Sequence, residues 1–338
     1  MKILVLGAGG FIGSNLVQHL VAEGKHDVVG VDISDAKLDG IGGQNFSFVH
    51  ADVSTSGDLL ENLIAATDVV ADLIAYANPS MYIESPLDVI KLNFIENVKT
   101  VQHCVDHGKR LFQYSTSEVY GKPSGESYIE DESDLVVGPV SRQRWVYSAS
   151  KQLLERVIHA HGLRGDLEYT IVRPFNFVGP RFDYLVPAGT TGGPRAFSHF
   201  MSALLTGGPM FLVDGGKQRR SFTHIDDANR AFSVLLEDPR AINRAFNIGN
   251  PANDTSIRDL VSLMMDLYEE LTGERPANEL IEISGRNFYG EGYEDTNRVV
   301  PDITRMTELG WEPQFDLEAT FRETIRSYLG ASVESVAS

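Results

Sequence analysis

The stretch that decides the fold is Ile3-Leu-Val-Leu6 followed by Gly7-Ala-Gly-Gly10-Phe-Ile-Gly13. The first four residues predict a buried strand, and residues 14–22 repeat apolar side chains at helical spacing. Glycines between strand and helix allow a tight turn, close approach to a pyrophosphate and packing of helix on strand. The free N–H groups at the helix N-terminus then face the phosphates. The pattern predicts a dinucleotide site with contacts from Gly7, Gly10, Phe11, Ile12 and Gly13.

A second apolar run, residues 27–31, ends in Asp32. An acid about 20 residues after the glycines hydrogen-bonds the ribose 2′-hydroxyl and repels a 2′-phosphate, so NAD is favoured over NADP. Residues 49–53 predict a third strand that carries Asp52 and Val53 to the adenine side, and residues 73–77 predict a fourth. Strands alternating with helices predict an α/β fold, a Rossmann-type doubly wound parallel sheet.

Two residues four apart, Tyr147 and Lys151, indicate what is done with the dinucleotide. Residues at this spacing share one face of a helix. A neighbouring ammonium favours the phenolate, which can take a proton from an alcohol while hydride passes to a nicotinamide. The apolar run 111–114 predicts a strand that ends at Ser115-Thr-Ser-Glu118, and the C-terminal ends of such strands carry the chemistry.

Six segments carry a resemblance to a known family. They are Ser115–Gly121, Arg144–Arg156, Val172–Arg181, Leu212–Thr223, Asn247–Pro251 and Phe288–Asp295. The chain resembles extended short-chain dehydrogenases/reductases of the NAD-dependent epimerase/dehydratase family over nearly its whole length. Within that family it is most similar to the UDP-glucuronate decarboxylase domain of polymyxin resistance and to UDP-apiose/UDP-xylose synthases.

The resemblance implies a role for individual residues. Tyr147 is then the base at the sugar C4 hydroxyl, Lys151 tunes it and binds the nicotinamide ribose, and Ser117 hydrogen-bonds the same C4 oxygen. Glu118 corresponds to the acid used near C5. The other implied residues are Arg298 for catalysis, Ala75, Asn93 and Pro174 for the cofactor, and Arg144, Asn176, Arg195, Arg220 and Tyr293 for the substrate.

The reaction that the resemblance implies begins with oxidation of C4 of a UDP-sugar. In UDP-glucuronate the new ketone is β to the C6 carboxylate and accepts the electrons released when CO2 leaves. The product is a UDP-4-ketopentose with NADH or, after the ketone is reduced again, UDP-xylose.

The chain departs from the pattern of these relatives in three respects. The decarboxylases carry an arginine at the position of Val299, whereas Arg298 lies one residue earlier here. Phe211 stands where the polymyxin-type enzyme has a lysine. The apiose synthases carry cysteines at the positions of Ala77 and Ser117, so ring contraction to apiose is disfavoured.

The lost arginine leaves alternatives open, because breaking a charged pair in a dry site costs several kcal/mol. One alternative is 4-epimerisation of a UDP-hexuronate or UDP-hexose without decarboxylation. Another is a non-catalytic dinucleotide-binding protein, which the presence of both Tyr147 and Lys151 disfavours.

The 338 residues, 42% of them apolar, can bury a large core. We expect an NAD-binding domain from residues 1–175 and 222–250. A smaller interleaved C-terminal substrate lobe would comprise residues 176–221 and 251–330, and the tail 331–338 would be frayed. The predicted helix 224–236 and strand 245–248 would return the chain to the first domain. Relatives dimerise through a four-helix bundle, which residues 89–98 and 152–158 would form here.

The composition of the chain limits the partners and the cellular compartment that we expect. The net charge of −18, from 29 basic and 47 acidic residues, opposes binding to nucleic acid or to anionic membranes. A single cysteine, Cys104, cannot form an intramolecular disulfide, which favours a reducing cytoplasm. No signal peptide or membrane span is predicted. The nine histidines lack ligand spacing, so no metal is expected.

Overall fold

The computed structural model describes residues 1–123, 125, 127–182, 185–187, 189–191, 196–291, 294 and 298–336, with the backbone only for residues 331–336. The strands are β1 (Lys2–Leu6), β2 (Asp27–Asp32), β3 (Phe46–His50), β4 (Val69–Asp72), β5 (Arg110–Tyr114), β6 (Tyr169–Pro174), β7 (Phe177–Val178), β8 (Met210–Val213), β9 (Arg219–Ser221), β10 (Thr223–His224), β11 (Arg244–Ile248), β12 (Asp254–Ser256), β13 (Leu280–Ile283) and β14 (Arg298–Val299).

The helices are α1 (Phe11–Glu23), α2 (Gly57–Ala65), α3 (Pro79–Glu84), α4 (Pro86–Ile90), α5 (Asn97–Asp106), α6 (Val146–Arg164), α7 (Ala196–Thr206), α8 (Ile225–Glu237), α9 (Ile257–Thr272), α10 (Gly285–Tyr289), α11 (Thr304–Glu308) and α12 (Leu317–Val336). A π-helical segment, Lys91–Glu96, joins α4 to α5. Helix α12 includes six residues of the predicted frayed tail, for which fraying stays a prediction.

Seven strands form one sheet in the order β11-β6-β5-β4-β1-β2-β3, and every neighbouring pair is parallel. From β1 the chain adds β2 and β3 on one side and then β4, β5, β6 and β11 on the other. This is the arrangement of a doubly wound sheet. The predicted fold class is confirmed. The C-terminal edge at the centre of this sheet is where such folds place their ligands.

Alternation along β1 shows how the sheet is buried. Ile3 and Val5 belong to one apolar cluster and Leu4 and Leu6 to another, and all four are fully buried. Successive side chains of a strand point to opposite faces, so helices must cover both faces. The continuous apolar run of the sequence therefore marks a central parallel strand.

The fourth strand differs from its prediction. The strand comprises Val69–Asp72, whereas residues 73–77 have no regular structure. Leu73 still donates its N–H to the Leu6 carbonyl at 3.0 Å, but the chain then leaves the sheet. Leu73, Ile74 and Ala75 line a cavity instead. These apolar side chains form part of the cavity wall. An apolar run in a sequence does not by itself distinguish such a wall from a buried strand.

Three small sheets lie outside the seven-stranded sheet, with the orders β10-β7, β12-β9-β14 and β13-β8. The chain passes from β6 into β7 and returns through β10 and α8 to β11, the edge strand beside β6. The elements between these crossings lie over the C-terminal edge of the large sheet. They supply one wall of the site described next.

Candidate active site

The glycine turn after β1 has the shape that a dinucleotide requires. Gly7 has a φ of 83°, in the left-handed region that glycine favours. A Cβ on Gly13 would lie 2.0 Å from the Gly7 carbonyl oxygen, so only glycine lets α1 pack against the turn. Asp32 ends β2 beside the turn, and its Oδ2 accepts the Gly9 N–H at 2.9 Å. The residues present therefore fit NAD.

A cavity of about 260 Å³ opens beside this turn. It contains six residues predicted to bind the cofactor: Gly7, Gly10, Asp32, Asp52, Val53 and Ala75. Ile12, Pro174 and Tyr147 line a second cavity, of about 160 Å³. Nine of the predicted cofactor residues thus line one or the other of two cavities.

Asn93, predicted as a cofactor residue, lies in the π-helical segment and is fully buried. Its amide accepts the Tyr76 N–H at 2.7 Å and donates to the Tyr76 carbonyl at 3.0 Å. It therefore holds the backbone of the loop that borders the cofactor cavity. Short π segments occur often at functional sites, and this one aims Asn93 at the loop.

Helix α6 carries the predicted Tyr/Lys pair on the face that packs against the sheet. Both side chains are buried, and the Lys151 Nζ donates to the Tyr114 carbonyl at 3.0 Å. Burial lowers the pKa of Lys151 to about 8, against the opposing charges of Asp72 and Glu155. Lys151 therefore lies one helical turn from Tyr147 and titrates closer to neutral pH than an exposed lysine does.

The segment after β5 brings Ser117 and Glu118 to the same place. Ser117–Tyr120 forms a 3-10 turn, which the Thr116 side chain caps by accepting the Glu118 N–H. The Glu118 Oε2 accepts a hydrogen bond from Arg144 Nη1 at 2.6 Å. A short charge-assisted bond of this kind orients both groups.

These side chains meet in the second cavity, of about 160 Å³, at the C-terminal edge of the sheet. The predicted residues that line it are Ser117, Glu118, Arg144, Tyr147, Asn176 and Arg220. Asn176 has a positive φ of 41°, and its Nδ2 donates to the Ser221 carbonyl at 3.1 Å. Non-glycine residues in this region are uncommon and concentrate at functional sites.

Arg298 does not reach this cavity. Its Nη2 lies 3.0 Å from Asp254 Oδ2, the same oxygen that Arg219 binds at 3.0 Å. The register explains the difference, because β14 pairs with β9 so that Arg298 faces Arg219 and Val299 faces Arg220. Side chains alternate along a strand, and the cavity face therefore carries Val299 and Arg220.

A third cavity, of about 180 Å³, shares Glu118, Arg144, Asn176 and Arg220 with the second and extends into the smaller sheets. Its wall is strongly aromatic, with Phe177, Phe182, Phe197, Phe200, Phe211, Phe222, Phe288 and Tyr289. Phe211 lies with its ring centre 5.9 Å from that of Phe288. An apolar chamber joined to a polar one suits a ligand with a flat base and a sugar.

Sequence reasoning missed Tyr82, which lines the catalytic cavity from α3. It is 1% exposed and stacks on Tyr147. No motif marks it, because its contact joins two helices that are distant in the chain. Arg195 and Tyr293, predicted to face the substrate, lie outside the described residues.

Possible metal ligands are few in the part of the chain that the structure describes. His224, Asp226 and Glu323 bring ligand atoms within 4.8 Å of one another. None of the three belongs to the described walls of the cavities above. The absence of a metal stays a prediction. No described helix has the length and apolar character needed to cross a bilayer.

The parallel sheet, the glycine turn with Asp32 and the buried Tyr/Lys pair define an NAD-dependent enzyme of the short-chain dehydrogenase/reductase type. Residues 3–249 match the NAD dependent epimerase/dehydratase family, and the chain belongs to that family. The resemblance, the enzymatic character and NAD as the cofactor are thereby confirmed.

In sequence the chain is 39% identical over 351 residues to the UDP-D-apiose/UDP-D-xylose synthase of Oryza sativa subsp. japonica, covering 96% of this chain and 88% of that protein. In structure it is similar to the PbgP3 protein from Burkholderia pseudomallei, with a TM-score of 0.87, 33% identity, and coverage of 99% of this chain and 98% of that one.

The UDP-glucuronic acid 4-epimerase from Bacillus cereus, solved with UDP-glucuronic acid and NAD, shares the fold. Its TM-score is 0.82 at 24% identity, covering 98% of this chain and all of that one, 100%.

Proposed function

We propose that the chain oxidises C4 of a UDP-sugar with NAD+ and decarboxylates UDP-glucuronate to a UDP-4-ketopentose or UDP-xylose. The observation that carries the proposal is Glu118, a carboxylate held by Arg144 in the same small cavity as Tyr147. An epimerase needs the base, whereas decarboxylation also needs an acid near C5. The 39% identity to a UDP-D-apiose/UDP-D-xylose synthase supports the same substrate class.

NAD+, when bound, supplies the acceptor for the C4 hydride and can return it later. Tyr147 takes the C4 hydroxyl proton, and Ser117 orients that oxygen. Lys151 stabilises the phenolate that Tyr147 needs in order to act as a base. With a ketone at C4, the C5–C6 bond breaks, CO2 leaves, and the electron pair enters an enolate at C4 and C5. We assign to Glu118 the transfer of a proton to C5, which converts the enolate back to a ketone.

A second candidate is 4-epimerisation without loss of CO2. It is favoured by Val299, which occupies the cavity face where the decarboxylases carry an arginine. The guanidinium of Arg298 is bound to Asp254 and does not replace it. Arg144 and Arg220 both line the cavity and are the cations that we expect to meet a substrate carboxylate or diphosphate.

Ring contraction to apiose is not part of the proposal. Ala77 and Ser117, the positions where apiose synthases carry cysteines, both line the catalytic cavity. Neither side chain has a thiol. We therefore expect a pentose product with an intact six-membered ring.

The test is incubation of the purified protein with UDP-glucuronate and NAD+, with absorbance followed at the NADH band and products analysed by mass. Loss of CO2 with NADH accumulation identifies an oxidative decarboxylase, and loss of CO2 without NADH identifies recycling to a pentose. An unchanged mass with a new stereoisomer identifies the epimerase and overturns decarboxylation.

Two variants assign the residues in that assay. Tyr147→Phe should lower turnover by about 10²–10⁴-fold while NAD binding remains. Glu118→Gln should lower decarboxylation more than C4 oxidation, which single-turnover NADH formation measures separately. As a matched control, Tyr268→Phe on α9 should leave both rates unchanged, since Tyr268 lies in the apolar packing outside the cavities.

The proposal keeps the predicted division into an NAD-binding domain (1–175 and 222–250) and a nucleotide-sugar lobe (176–221 and 251–330). It also includes a homodimer built from α6 and the helical segment from α4 to α5. Leu87, Ile95, Leu153 and Leu163 are exposed apolar residues on these helices and support the dimer. The lone buried Cys104 supports a reducing, cytoplasmic location. Nucleic acid and membranes are not proposed as partners.

A further inference from the structure

A buried carboxyl that the mechanism above does not use lies at the end of β4. Asp72 is 1% exposed, and its neighbours across the sheet are Leu6 and Gln113. Its Oδ1 accepts the Ile74 N–H at 3.0 Å. Its Oδ2 is buried and has no hydrogen-bond partner among the described residues. A buried carboxyl with an unsatisfied oxygen is costly and calls for a compensating charge.

That charge lies on α6. Lys151, itself 1% exposed, donates to the carbonyl of Tyr114, the residue after Gln113. Gln113 Nε2 in turn donates to the Asp72 backbone carbonyl at 3.3 Å and to the Tyr114 carbonyl at 3.5 Å, so polar contacts connect Lys151 to the backbone of Asp72. Asp72 and Lys151 also interact electrostatically, each favouring the charged form of the other. Two opposite charges removed from water together offset part of their desolvation cost.

Two other titratable groups, Glu155 and Cys104, lie near this pair. Glu155, on α6, also acts on Lys151, but its carboxylate oxygens bind Arg173 at 3.1 and 2.6 Å. Cys104, on α5, lies near Asp72, and burial together with the Asp72 charge raises the pKa of its thiol, so it stays neutral. Of the two carboxylates that act on Lys151, Asp72 is therefore the one without an arginine partner.

We propose that Asp72 is a positioning residue of the active site whose negative charge keeps Lys151 protonated beside the Tyr147 base. The proposal rests on the proposed roles of Tyr147 and Lys151 and extends them to a strand residue that lines none of the cavities described above. Residues 73–75, which follow Asp72, line the cofactor cavity, so the charge acts directly next to the nicotinamide dinucleotide site.

The direction of the pH effect follows from the charges. Burial lowers the pKa of Lys151 to about 8, and Asp72 limits that fall. Burial also raises the pKa of Asp72 to about 6, so the carboxylate is charged where Lys151 titrates. Lys151 supports the phenolate only while it is protonated. Activity should therefore fall as the pH rises through the pKa of Lys151, and it should fall earlier without the Asp72 charge.

The first test compares the pH dependence of kcat in wild type and Asp72→Asn, which removes the charge at nearly constant size. We expect the alkaline limb to move down by about one pH unit or more, the usual effect of a nearby opposite charge. The matched control is Asp68→Asn, since Asp68 precedes the same strand, is exposed and binds the Lys2 N–H at 2.7 Å. An unchanged limb in Asp72→Asn would overturn the proposal.

The second test needs no substrate. Lys151→Met leaves Asp72 buried without its counter-charge and should lower the melting temperature at pH 8. Adding Asp72→Asn should restore most of that loss, because neither charge then remains buried. A double variant no more stable than Lys151→Met overturns the proposal, even if the single Asp72→Asn folds poorly. If no UDP-sugar is turned over while the melting temperatures show this coupling, the proposed function has failed and the charge pair stands.

Discussion

The ring of Tyr82 lies parallel to the ring of Tyr147, with their centres 4.9 Å apart and 6° between their planes. The guanidinium of Arg144 lies 5.6 Å from the centre of the Tyr82 ring. One buried aromatic ring thus contacts both the proposed base and the cation that holds Glu118. Tyr82 therefore sets the relative position of the two groups that the proposed reaction needs.

Replacing Tyr82 with leucine should lower kcat by up to about tenfold, because a stacked aromatic pair contributes about 0.5–1.5 kcal/mol. The NAD dissociation constant should change less than kcat, since Tyr82 does not line the cavity beside the glycine turn. Steady-state kinetics and a fluorescence titration of NAD measure the two effects. Tyr82→Phe is the matched control and should behave as wild type. Equal losses in both variants would mean that the hydroxyl matters and not the ring.

Arg220 and Arg298 should differ although both are arginines on neighbouring strands. Arg220→Met should reduce kcat/KM for the UDP-sugar by about ten- to a hundredfold, since hydrogen bonds to charged groups contribute about 1.5–3 kcal/mol. Arg298→Met should leave it within about twofold, because the Arg298 guanidinium is paired with Asp254 and does not line the cavity. Measuring kcat/KM for both variants tests whether only Arg220 contributes to substrate binding. A large loss in Arg298→Met would show that the arginine moves into the cavity during catalysis.

Asp32 should set the preference for NAD. Its carboxylate lies at the glycine turn and would repel a 2′-phosphate, a like-charge contact that costs several kcal/mol. Asp32→Asn should therefore narrow the ratio of the NADP and NAD dissociation constants by at least about tenfold. Titration with both cofactors measures the ratio. Asp35→Asn, in the exposed loop that follows β2, should leave the ratio unchanged, and an equal change in both variants would mean that the general negative charge of this region is responsible.

Leu153 should contribute to the proposed dimer. It is 48% exposed on α6, and a glutamate there would place a charge in an apolar helical interface. Leu153→Glu should shift the protein towards monomer, as measured by light scattering at micromolar concentration. Leu59→Glu on α2, where the leucine is 41% exposed, is the matched control. A wild-type chain that is monomeric at the same concentration would contradict the proposed interface.

The elements that the sequence predicted best are those with a local physical cause. β1, β2 and β5 were predicted within one residue of each end. Their apolar runs are short, β-rich and bounded by turn residues. The strand expected at residues 73–77 was wrong because a ligand wall and a buried strand are equally apolar. The correct strand, Val69–Asp72, ends in an acid whose burial the sequence does not reveal.

The functional site shows the same contrast between features with a local cause and features that depend on tertiary contacts. Spacing on one helix is a local property, so Tyr147 and Lys151 were recognised from their sequence alone. Arg298 illustrates the limit, because whether it or Val299 faces the cavity depends on the pairing of β14 with β9. Shifting a strand by one residue moves every side chain to the other face. Register is set by contacts between strands that are distant in the chain.

The sequence by itself indicated the parallel sheet, the NAD turn and the Tyr147/Lys151 pair, since each strand, the turn and the pair are marked by residues within a short segment. Only the tertiary structure decided which arginines line the cavity, that Tyr82 stacks on Tyr147, and that Asp72 lies within electrostatic reach of Lys151. These relationships join residues far apart in the chain. Burial and charge pairing act through space, and their energies exist only once the strands and helices are packed together.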